Sequence, residues 1–205
     1  MPRGVRIGVL ATIIGAWLAL SLALATSAAP VRFGAKLTTD TQPQPALWCD
    51  EPNDVDPHPT CTWVMNEAYG RPAGGHKAPK AGTIGKVRII SCTPGTFRLQ
   101  VVRQVPGTDT FRAVRNGPVV NYQGDPQGCG DEDDFVYQIE SIATNFSVNK
   151  GDRIAIRAQQ TGALRCGSGG DHTLQFDPPL AAGGAAMAPT DDEGCFLLVE
   201  WQYKP

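Results

Sequence analysis

Glu140 and Glu200 are the acids best suited to general acid–base work. Glycoside cleavage needs two carboxyls held roughly 5–10 Å apart, and both glutamates fall in or beside strand-like segments that would hold them rigidly. Glu200 also fits a simpler reading, an exposed polar position on an alternating strand. Trp63, Tyr122 and Tyr137 are aromatics that could stack on a sugar ring if a sheet presented them on an open face. Trp201 and Tyr203 alternate in step with Leu197 and Val199, which places them in the core instead. Asp131, Asp133 and Asp134 supply the clustered carboxylates that a structural calcium ion favours. None of the acid-rich stretches at 50–56, 131–134 and 191–193 follows the EF-hand pattern, so solvated acidic loops are the plainer expectation. No other cofactor and no catalytic residue is expected.

The histidines His58, His76 and His172 share no short ligand spacing and read as solvated loop residues. The segment CGSGGDH (166–172) bears a superficial likeness to the glycine-flanked serine of chymotrypsin-like proteases. Gly167 stands where that motif needs an acid, and neither His58 nor His76 has the expected context. A glycine-rich loop after Cys166 is the reading retained.

Compartment is written more clearly than chemistry. Residues 1–6 carry two cations, residues 7–25 carry no charge, and ATSAAP follows at 25–30. That order is the pattern of a secretory signal over residues 1–29, with an uncleaved N-terminal anchor as the alternative. Removing 1–29 takes away Arg3 and Arg6 and no acid, so the formal charge moves from −2 to −4. A mildly acidic exported chain is expected to bind neither nucleic acid nor, once the signal is gone, a membrane. An extracellular polysaccharide or cell-surface component is the class of partner left open.

All six cysteines, Cys49, Cys61, Cys92, Cys129, Cys166 and Cys195, follow the signal, and an even number in an exported chain predicts three disulfides. Of the 15 connectivities, the preferred set is Cys49–Cys61, Cys129–Cys166 and Cys92–Cys195, the last joining an early strand to the final one. The spacings contain no zinc-type CxxC pair.

The elements that must position these residues read as strands. GKVRIISC (85–92), TFRLQVVRQV (96–105), DRIAIRA (152–158) and CFLLVEWQY (195–203) alternate apolar and polar positions. CTWVM (61–65), FRAVR (111–115), DFVYQI (134–139) and TLQF (173–176) are weaker strands. Turn chemistry separates them at TPG (93–95), VPGTD (105–109), NGP (116–118) and NKGD (149–152). Capped helical periodicity is lacking after residue 30. The prediction is an all-β chain: an antiparallel β-sandwich or jelly roll over 61–205 with long disulfide-tied loops, preceded by an irregular proline- and acid-rich arm over 30–60. Residues 177–194 are expected to form a flexible connection to the last strand.

The order of CTW (61–63), KVRIISCTPG, FRLQVVR, NGPVV (116–120) and VNKGDRIAI (148–156) resembles a loosely defined set of exported β-sandwich domains, mostly of actinobacterial chains with uncharacterised function. The resemblance covers about residues 61–160 and the closing strand, and implies fold and exported location but no activity. The expectation is therefore a secreted, non-catalytic module that binds a carbohydrate or cell-envelope polymer or serves a structural role. An extracellular glycoside-type hydrolase built on Glu140 and Glu200 is the alternative.

Overall fold

Alternation of apolar and polar residues makes each strand two-faced, and two such sheets bury their apolar faces against one another. The computed structural model describes residues 29–38, 41, 43–47, 49, 60–125, 138–158 and 164–205. These form an antiparallel β-sandwich with eleven strands and, among the described residues, no helix. The strands are β1 (Arg32–Gly34), β2 (Pro43–Ala46), β3 (Thr62–Met65), β4 (Gly82–Ile89), β5 (Gly95–Gln104) and β6 (Phe111–Tyr122). They continue as β7 (Glu140–Val148), β8 (Arg153–Ala158), β9 (Arg165–Phe176), β10 (Asp191–Leu197) and β11 (Val199–Tyr203). One sheet has the order β1-β11-β4-β7; the other runs β10-β9-β3-β8-β5-β6, with β2 also on β9.

The main core lies between the sheets. Ile84, Val87, Ile89, Phe146, Val199 and Trp201 from the four-stranded sheet meet Trp63, Phe97, Leu99, Val101, Ile154 and Ile156 from the larger one. A second, smaller core covers the outer face of the larger sheet. There Val64, Val102, Phe111, Ala155, Leu174 and Phe176 pack with Leu180 and the partly buried Met187. The connection over 177–190 is thus held down rather than free. Leu180 is fully buried, and bridges join Met187 to Phe111 and Ala182 to Ala113. Gln100, also fully buried, donates to the Leu180 carbonyl at 3.0 Å and pins the segment.

Several segments differ from the sequence reading. CFLLVEWQY is two strands: β10 belongs to the larger sheet and β11 to the smaller, with Leu198 as the hand-off. Leu197, Leu198 and Val199 are all buried because the chain passes from one layer to the other there. NGP (116–118) lies inside β6, where the register against β5 slips between Arg98 and Gln100 and the extra residue is taken up as a bulge. The glycine-rich 166–172 stretch is part of β9. The arm over 30–60 contributes β1 and β2, and β1 joins the smaller sheet through Gly34↔Glu200. Gly34 adopts φ +81°, and a Cβ there would stand 2.6 Å from the Val199 carbonyl oxygen, so this contact needs glycine.

The cysteines also sort differently. Cys49–Cys61 forms as expected, with Cα atoms 5.4 Å apart. Cys166 bonds Cys195, not Cys129, because β9 and β10 are antiparallel neighbours that bring these two Cα atoms to 5.6 Å. The expected Cys92–Cys195 bridge assumed that residue 195 sat in the closing strand beside β4; it sits in the other sheet. Cys92 is itself disulfide-bonded, and Cys129 lies outside the described residues. Such bridges are typical of oxidising compartments. Among the described residues no helix is long and apolar enough to cross a membrane. The predicted signal segment lies outside the described residues except for Ala29.

Candidate functional site

At one end of the sandwich three segments converge: β1, the connection over 68–80, and the turn over 149–152. Backbone bonds fix them together. Gly34 N donates to Gly75 O at 2.8 Å, Ala78 N to Asp152 O at 2.8 Å and Gly151 N to Ala78 O at 2.8 Å. Gly151 takes φ +83° in the turn, and the Asp152 carboxylate accepts from Asn149 N at 2.8 Å, which closes it. Two cavities open between these walls.

The first, of about 390 Å³, is lined by Arg32, Arg71, Lys77 and Lys150 together with the apolar walls of Phe33, Pro72, Ala78 and Pro79. The second, of about 330 Å³, is lined by Lys77, Arg103, Gln104, Lys150, Asp152 and Arg153, with Val102 and Gly151 behind. They share Lys77, Lys150 and Gly151 in their walls and so lie side by side as the two lobes of one groove region. Both volumes lie at the lower end of the range for small-ligand sites.

The electrostatics of the groove are one-sided. Asp152 is the only acid in the lining among the described residues, and it is occupied by Arg103 at 2.9 Å. Arg71 donates from Nε to the Gly34 carbonyl and from Nη2 to Glu200, both at 2.7 Å. Lys77 and Lys150 are exposed and have no acidic partner among the described residues. Arg153 is 6% exposed, yet among the described residues its guanidinium meets only neutral acceptors, Asn66 Oδ1 and Gln104 Oε1, each at 3.2 Å. It also lies 5.0 Å over the ring of Phe111. Burial lowers its pKa from the usual arginine range. His76, in the groove wall's own connection, is buried with both ring nitrogens unpartnered. Burial, then the charges of Arg153 and Lys77, push its pKa down to about 4, so at neutral pH it adds no charge.

The sequence-nominated residues lie elsewhere. Glu140 pairs in register with Ile89 and Glu200 with Arg88; Ile89 and Arg88 are consecutive in β4, so the two glutamates project from opposite faces of the smaller sheet. The Glu140 carboxylate accepts from Gln123 N at 3.0 Å and Gly124 N at 3.0 Å. Glu200, expected to be exposed, is 2% exposed. Arg71 and Arg88 bond it and Arg32 stands 3.6 Å away, so its burial is compensated by guanidiniums that arrive from distant parts of the chain.

Trp63 and Tyr122 share no open face. Trp63 is fully buried and donates from Nε1 to Gln175 at 3.2 Å, and Tyr122 is buried against Phe97 with ring centroids 5.6 Å apart. Burial first, and then Glu140, raise the Tyr122 pKa to about 12. Trp201 and Tyr203 are in the core, as their alternation required. Tyr137 and the proposed calcium ligands Asp131, Asp133 and Asp134 lie outside the described residues, as does His58. His172 is not a free loop residue: its ring stacks on Phe196 at 4.0 Å and its Nδ1 stands 3.3 Å from Glu67 Oε2.

Sequence reasoning missed the groove. DRIAIRA assigned Arg153 to a solvent face, but Val64, Val102 and Ala155, apolar at positions facing away from the main core, signalled that the outer face of the sheet is covered too. The chain matches no family model, no curated protein and no solved structure.

Proposed function

We propose that the protein is a secreted, non-catalytic β-sandwich module that binds a carbohydrate or cell-envelope polymer in the groove between β1, the 68–80 connection and the 149–152 turn. The single observation that carries this reading is the groove itself: two adjacent cavities with walls locked by backbone hydrogen bonds, whose lining includes three cations, Lys77, Lys150 and Arg153, with no acidic partner among the described residues. A rigid, preformed and charged recess is what a binding module needs, since little ordering entropy is lost when the ligand enters. The disulfides and the leader-like N-terminus support the exported location. The hydrolase alternative gains nothing from Glu140 and Glu200, which stand on opposite faces of one sheet.

The test is retention of the purified, oxidised protein on a panel of immobilised polysaccharides, with released reducing ends measured in parallel. Retention without release is expected. Reducing ends that appear with the native protein and vanish with Glu140→Gln would overturn the non-catalytic reading.

A further inference from the structure

Among the described residues the buried acids and arginines are, with one exception, answered by an opposite charge. Glu200 has Arg71 and Arg88, and Asp152 has Arg103. Arg153 is the exception. Of its guanidinium's five N–H donors, two meet side-chain carbonyl oxygens, and the residue is part of the lining of the 330 Å³ cavity. A cation taken out of water without a counter-charge is strongly unfavourable, and the planar guanidinium fork is the side chain that best matches a carboxylate bidentately. Lys77 and Lys150 line this cavity and also the neighbouring 390 Å³ one, where Pro72, Pro79 and Ala78 offer apolar walls to the C–H faces of a sugar ring.

We infer that the groove binds a carboxylated polysaccharide, a chain of uronate-type sugars that places one carboxylate against Arg153 and the next beside Lys77 and Lys150. The inference rests on the reading of this groove as a polymer-binding site and names its ligand class. Burial, with the charges of Arg153 and Lys77 adding to it, lowers the pKa of His76, so the nearby histidine contributes no charge of its own at neutral pH. Two cavities side by side, sharing Lys77 and Lys150, favour an oligomer over a single ion. The surrounding chain carries a net charge of −2, which disfavours a densely charged nucleic acid and leaves a sparsely charged glycan as the better match.

The oxidised protein should be titrated calorimetrically with oligogalacturonate, a neutral isomalto-oligosaccharide and duplex DNA, at low and moderate salt. Oligogalacturonate is expected to bind, with affinity that falls as salt rises. Replacing the exposed pair by Lys77→Gln and Lys150→Gln is expected to weaken it at least tenfold with the circular dichroism unchanged. Arg153→Lys keeps the charge but loses the fork, and is expected to weaken binding as well. No heat with oligogalacturonate, equal affinity in the lysine-pair variant, or DNA bound as tightly as oligogalacturonate would each overturn the inference. Binding of the neutral oligosaccharide alone would overturn it while leaving the binding-module reading standing. Failure of every glycan, here and on the polysaccharide panel, would remove both.

Discussion

Glu200 and Arg153 are buried to nearly the same degree but live in opposite electrical circumstances. Around Glu200 one carboxylate is met by Arg71 and Arg88, with Arg32 close by, and the network ties β1, the 68–80 connection, β4 and β11 together. Around Arg153 a cation is met by amide oxygens and an aromatic face, beside a cavity that also presents Lys77 and Lys150. The first corner is a closed electrostatic circuit and reads as architecture. The second is open. A buried charge with its partners in place stabilises one arrangement, whereas a buried charge without them leaves a place where an arriving counter-charge would be stabilised.

The contrast can be broken by mutation. Glu200→Gln leaves guanidiniums crowded without a counter-charge and should destabilise by about 3–5 kcal/mol, roughly 10 °C in melting temperature by calorimetry. If Glu200→Gln lowers the melting temperature no more than a change at Arg153 does, the distinction between the corners collapses. The next effect is a pH dependence at the open corner. Unfolded His76 takes up its proton near pH 6.5 and the folded protein only near pH 4, so the unfolded state binds more protons between these values. Stability should therefore be complete above pH 6.5 and fall by about 2–3 kcal/mol as pH drops to 4. Urea titrations across that window should show the slope in the native protein and a shallower one in His76→Leu. Arg153→Met should be nearly neutral, within about 1 kcal/mol, because it removes an unanswered charge along with two hydrogen bonds to neutral groups. Loss of several kcal/mol on that substitution would make Arg153 a structural member like Glu200.

Most strands were legible because alternation is a local signal: β3, β4, β5 and β8 fall close to where Trp63, Val87, Leu99 and Ile154 put them. What stayed hidden was set by distant residues. The burial of Glu200 depends on Arg71, 129 positions away, and Arg88, 112 away. The groove likewise draws on β1, the 68–80 connection, β5 and the 149–152 turn, which no spacing rule unites. The β9 segment 166–172 looked like a loop because its glycines have little strand preference; pairing with β2 and β10 overrides that. The break at Leu198 did leave a trace. Leu197, Leu198 and Val199 interrupt strict alternation, and that triplet marked the change of layer on which the cysteine pairing turned.

The place of β11 has a consequence for how the smaller sheet closes. It lies between β1 and β4, so until it docks β1 has no partner in its sheet and β4 has only β7. Two of the three pairings of that layer form in one step, and any opening that frees β11 leaves only the β4–β7 pair standing.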